Sequence, residues 1–166
     1  MVPFAEAVKN LTTIPGVSQR TAETVLAEVG ADMSRFATSA HLASWAGMCP
    51  GNNESAGKRK SGKTRKGDRW LRIALIEAAH AASRTRGTYL AAQYHRLLAR
   101  RGKKKAIVAL GHTILTIAYH LLTRTTDYQE LGALYFDERD QQRVTRRLVH
   151  RLEALGYTVQ LDRPAA

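Results

Sequence analysis

The 166-residue sequence predicts an all-α fold: a single compact helical domain, residues 1–166, with one long basic loop. Two observations carry that expectation. Apolar residues recur at i, i+3 and i+4 along most of the chain. Capping residues and glycines punctuate it at helix-sized intervals. An apolar fraction of 44% supplies a core, and the lone Cys49 excludes an internal disulfide and fits a small buried residue in a reducing cytoplasm.

The elements follow in order. Phe4 to Leu11 reads as a short amphipathic helix. Residues 11–30 then form a helical hairpin hinged at Ile14-Pro15-Gly16-Val17, with Ser18 as N-cap and Gly30 as stop. "TSAHLASWAGM" is a further short helix, capped by Ser39 and ended at Gly47. A polar loop occupies about 50–67. Asp68 is the natural cap of the helix "DRWLRIALIEAAHAASR", whose Leu71, Ala74, Leu75, Ala78, Ala79 and Ala82 share one face. Helices over about 88–100, 103–123 and 137–155 complete the set, the last stopped by Gly156. "YTVQL" reads as a short strand or extended tail, and "DRPAA" is expected to fray. The most apolar run, Ala106 to Leu122, is cut by Gly111, His112, Thr113, Thr116 and His120, so it reads as a core helix and no membrane partner is expected. The N-terminus lacks the pattern of a signal peptide, consistent with a cytoplasmic, nucleoid-associated protein.

Charge points to the partner. Twenty-six Lys and Arg against fourteen Asp and Glu leave +12, the footprint of a polyanion binder. The charge is densest in "NNESAGKRKSGKTRKGDRWLR", which holds Lys58, Arg59, Lys60, Lys63, Arg65, Lys66, Arg69 and Arg72. Glycines let such a loop follow a phosphate backbone, and Arg69 and Arg72 continue the charge along one side of the next helix. Trp70 could stack on a base, but its offset from Ile73 and Ala74 favours a place in the core. The Gly-Lys-Thr letters do not make a phosphate-binding P-loop, because no strand precedes them and the glycine spacing is wrong. A second block, with Lys103, Lys104 and Lys105, opens a helix against that helix's own dipole, which favours an external anion over a solvated charge run. The Pro-Gly turn, through Gly16, Val17 and Ser18, offers backbone N–H groups to a phosphate in the manner of a helix-hairpin-helix, with Ser18 where the second glycine would stand.

Two serines, Ser55 and Ser61, lie in the basic loop, and composition alone does not distinguish them as nucleophiles. The scattered histidines, the single cysteine and the unpaired acids make no metal set.

Taken as an ordered series, the Pro-Gly hairpin, "FATSAHLASWAGMCPGNNESAGKRKSGKTRKGDRWLR", the Ala-rich helix and "RGKKKAIVALGHTILTIAYHLL" resemble the insertion sequence 110/116/902 family of transposases. The resemblance spans about Leu11 to Leu122, the family's C-terminal transposase domain. It matches Ser55, Gly57-Lys58-Arg59, Lys66-Gly67, Arg69 and Leu71-Arg72 to the family pattern. It implies that Ser55 is the recombinase nucleophile that holds a DNA strand as a phosphoserine, and that Ser61 is a spacer. Glu-Ser-Ala-Gly stands where members commonly carry Ser-Ser-Gly. The family also implies a structured guide RNA, a homo-oligomer, and a divalent metal, magnesium by expectation, in an N-terminal RuvC-like domain. This chain is expected to lack that domain and to bind no cofactor itself. The expected function is DNA transposition and recombination through a DNA-binding domain that supplies a serine for strand exchange. A non-catalytic basic DNA- or RNA-binding module, or an inactive truncated transposase, is the alternative.

Overall fold

The computed structural model describes residues 2–51 and 53–162; the side chains of Val2, Pro3, Asn53, Arg59 and Lys60 lie outside the described residues. The chain is mostly helical and divides into two compact units, residues 1–133 and 134–166.

In the first unit, α1 (Val2–Thr12) and α2 (Gln19–Val29) form the expected hairpin. Ser18 caps α2 by accepting the Thr21 N–H at 3.2 Å, and Gly30 ends it at φ +83. A 3-10 turn at Met33–Arg35 leads to α3 (Ser39–Trp45). Its cap is Thr38 rather than Ser39: Thr38 is extended and its hydroxyl accepts the His41 N–H at 3.2 Å, while Ser39 is already helical. Helix α4 (Arg69–Ala82) begins at Asp68, whose Oδ1 accepts the Leu71 N–H at 2.6 Å. All six residues of its expected stripe are buried.

Helices α5 (Tyr89–Arg101) and α6 (Lys103–Arg124) complete the unit. By length and composition α6 is apolar enough to cross a membrane; in this fold it is the central helix, packed against α1, α3, α4 and α5. Gly111 sits where α6 meets α4, and a Cβ there would stand 2.9 Å from Met48 Cε and 3.3 Å from the Leu75 carbonyl oxygen. Tyr119 Oη donates to the Phe36 carbonyl at 3.0 Å and ties the 3-10 turn to α6. The segment after α6 is fastened back by Glu130, which accepts the Tyr89 N–H at 2.6 Å, and by Thr13 Oγ1, which accepts the Tyr128 N–H at 2.8 Å. Cys49 is half-buried against the core rather than within it.

The second unit holds α7 (Tyr135–Arg139) and α8 (Gln141–Ala154) where the sequence suggests one helix. Asp140, at φ −129 and ψ 42, breaks it. Gly156 follows α8 at φ +90, and Tyr157 to Asp162 form no strand. Of "DRPAA", residues 163–166 lie outside the described residues.

Candidate nucleic-acid interface

The basic loop is a β-hairpin arm. Strand β1 (Asn53–Ser55) pairs antiparallel with β2 (Lys58–Ser61), through Asn53↔Ser61, Glu54↔Arg59 and Ser55↔Lys58, with an irregularity between Asn53 and Glu54. The turn residues Ala56 and Gly57 have φ +50 and +72, the two positive values a type I′ turn requires. Below the strands, Pro50 bridges Thr64, and the Gly51 N–H donates to the Lys63 carbonyl at 2.8 Å. At the root, Gly47 (φ +66) and Gly67 press backbone on backbone. No alternating apolar pattern announces these strands, because the hairpin packs on itself and not on the core.

This geometry separates the two serines. Ser55 is exposed, immediately before the turn and directly opposite Lys58, so the two side chains rise from one face at neighbouring positions. Ser61 is half-buried lower on the return strand, and its Oγ accepts the Lys63 N–H at 3.2 Å. Exposed Lys63, Arg65 and Lys66 line the return to α4. Arg69 is exposed and Arg72 half-buried on the first turns of α4. Arg59 and Lys60 have a backbone place on β2, and their side chains lie outside the described residues.

The second basic block lies near the same end of the unit. Lys103, Lys104 and Lys105 are exposed on the first turn of α6, which begins at Gly102 without a side-chain cap. About two turns on, Gly111 meets Met48, the first residue beyond the arm's glycine neck.

The Pro-Gly turn is more enclosed than the sequence suggests. Gly16, at φ +86, lies against the last turn of α4: a Cβ would meet the Ala82 N and stand 2.5 Å from the Ala78 carbonyl oxygen. The Val17 side chain is buried, and its N–H donates to the Ile14 carbonyl at 3.0 Å. Ser18 is exposed but its hydroxyl caps α2. What this turn can offer a phosphate is the first turn of α2, at Gln19 and Arg20, whose N–H groups have no acceptor within their helix.

Trp70 corrects the expectation of a core anchor. It keeps 64% of its accessible surface, beside Ile73 at 42%, because positions 70, 73 and 77 fall outside the buried stripe that starts at Leu71. Glu77, polar and on that same outer edge, was the signal in the sequence. Among the described residues no three His, Cys, Asp or Glu gather where they could hold a metal ion.

The sequence is similar to those of known proteins. The chain is 33% identical over 132 residues to the transposase for insertion sequence element IS1111A of Coxiella burnetii, a match covering 75% of this chain and 35% of the relative. It is 35% identical over 129 residues to an insertion element IS110 protein of Streptomyces coelicolor, covering 72% and 29%. It is 32% identical over 125 residues to the pilin gene-inverting protein of Moraxella bovis, covering 72% and 38%. The chain thus spans about a third of the length of these relatives. The sequence profile described as "Transposase IS116/IS110/IS902 family" matches residues 8–95, across the hairpin, the arm and α4, and the chain belongs to that family.

Proposed function

We propose that this chain is the DNA-binding, strand-exchanging part of a transposase, and that Ser55 is its nucleophile. The observation that carries the reading is the position of Ser55, exposed at the tip of a basic arm opposite Lys58. The relatives named as a transposase and a gene-inverting protein support a DNA rearrangement. In the step, Ser55 Oγ bonds to a DNA phosphorus, and the bond from phosphorus to one strand's oxygen breaks. The serine is exposed and gives its proton to solvent, the leaving oxygen takes one from solvent, and Lys58 stabilises the charge on the phosphoryl oxygens. Attack by the freed end of another strand reverses the chemistry and releases the serine. The divalent metal, the guide RNA and assembly into a homo-oligomer belong to the same proposal, with the metal in another domain.

A denaturing gel with end-labelled DNA, run with and without a separately supplied acidic domain from a family member, tests it. A covalent band is expected for the chain and none for Ser55→Ala, with binding before denaturation retained. An adduct that survives in Ser55→Ala overturns the assignment.

A further inference from the structure

The arm's root carries an aromatic surface that the strand-exchange reading does not use. Trp70 is the second residue of α4, just beyond the arm, and keeps 64% of its accessible surface. A tryptophan this open is unusual in a folded unit, since its ring is among the largest apolar surfaces a chain can bury. Ile73, one turn on and 42% exposed, extends the apolar surface along the same edge. A cation stands beside it: the Arg69 guanidinium carbon lies 5.9 Å from the Trp70 ring centroid, and Lys66 and Arg72 lie close by in the sequence. In the segment that leads to and through this turn of α4, Lys63, Arg65, Lys66 and Arg69 are exposed and Arg72 is half-buried, while Asp68 is engaged in capping α4.

A flat aromatic face inside a positive field matches one chemistry. It fits a nucleobase with its ring uncovered and its own phosphate nearby. A stacked duplex keeps its base faces covered, so the ring would select an unpaired or extruded base. A second copy of the chain is a poorer occupant, because it would bring the same net positive charge to the contact.

We propose that Trp70 is a base-stacking platform: it takes an unpaired nucleobase on its open face, while Arg69 and the neighbouring cations hold the flanking phosphates. The inference rests on the nucleic-acid-binding reading and is independent of the chemistry at Ser55. The unpaired base could come from DNA or from RNA, and the ring chemistry is the same for both.

The test uses the full chain carrying Trp45→Phe, which leaves Trp70 as the only tryptophan. Trp45 packs on Phe36 with ring centroids 5.6 Å apart, so phenylalanine keeps that contact. Trp70 emission is titrated with a thymidine 20-mer, a uridine 20-mer, and a duplex of equal phosphate number. Strong quenching by a single strand and little by the duplex is expected, and the thymidine and uridine arms identify the source. Trp70→Ala is expected to weaken single-strand binding on the order of tenfold and duplex binding less than twofold, with the salt slope unchanged because every cation remains. Trp70→Phe restores most of the affinity. Equal quenching by duplex and single strand, no loss of affinity in Trp70→Ala, or a change of oligomeric state in that variant each overturns the proposal. A covalent adduct that survives in Ser55→Ala, with the Trp70 quenching unchanged, refutes the nucleophile and leaves the platform standing.

Discussion

Gly47 and Gly67 touch backbone to backbone at the root of the arm, and a Cβ on Gly47 would stand 2.7 Å from the Gly67 nitrogen. A Cβ on Gly67 would in turn overlap the Ala46 carbonyl. No flexible side chain stands in the way that could yield, so the neck closes only if both positions lack a side chain. Gly67→Ala is expected to cost about 1–3 kcal/mol, the usual penalty for forcing atoms into a packed site. Urea unfolding measures the loss. Faster trypsin cleavage after Lys58 to Lys66 shows that the arm has loosened.

The turn at the tip can be improved. Ala56 holds φ +50, which an L-residue with a Cβ adopts at a cost that asparagine largely avoids. Ala56→Asn creates the Asn-Gly pair favoured in type I′ turns and should stabilise the hairpin by about 0.5–1 kcal/mol. Slower tryptic cleavage within the arm, with unchanged global stability, is the expected result.

The lysines that open α6 should act oppositely on stability and binding. They sit at the positive end of a helix whose cap, Gly102, offers no side chain. Lys103→Glu with Lys104→Glu is expected to stabilise the fold by about 0.3–1 kcal/mol per charge. The same pair should lower DNA affinity, and the log–log salt slope should fall by about 0.9 for each phosphate that is no longer neutralised. A variant that gains stability and keeps its affinity would remove this block from the interface.

Burial lowers the His112 pKa below its ordinary 6.5. The folded state therefore binds fewer protons than the unfolded chain at mildly acidic pH. Its contribution to stability is complete above the unfolded value and is lost as the pH falls below about 6.5 towards the folded value. His112→Gln should flatten the fall in stability between about pH 7 and pH 5 relative to the native chain. Thermal melting across that range measures it.

The helices are largely legible in the sequence because their signals are local. Asp68 and Ser18 each cap a helix through their own side chain, and the α4 stripe from Leu71 to Ala82 is a simple periodicity. The arm is not legible, since its register comes from backbone pairing around Ala56-Gly57 and from a glycine neck twenty residues apart. Trp70 is harder to read, because its neighbours Ile73 and Ala74 fall on either side of the boundary of the stripe that α2 and α6 cover, and only Glu77 marks its edge as the outer one. The residue pattern singles out Ser55 through family likeness; the hairpin adds a physical difference, with Ser55 exposed at the tip and Ser61 half-buried and hydrogen-bonded to the backbone.

Gly16 rests on the last turn of α4, and the arm springs from the first. Helix α4 is therefore a strut whose fourteen residues hold the Pro-Gly turn and the arm's root apart by roughly 20 Å. That length corresponds to about six base-pair steps of B-form DNA. If both ends grip one duplex, the protein works as a ruler, and inserting a helical turn into α4 would shift the spacing between the gripped phosphate and the serine by a step or two.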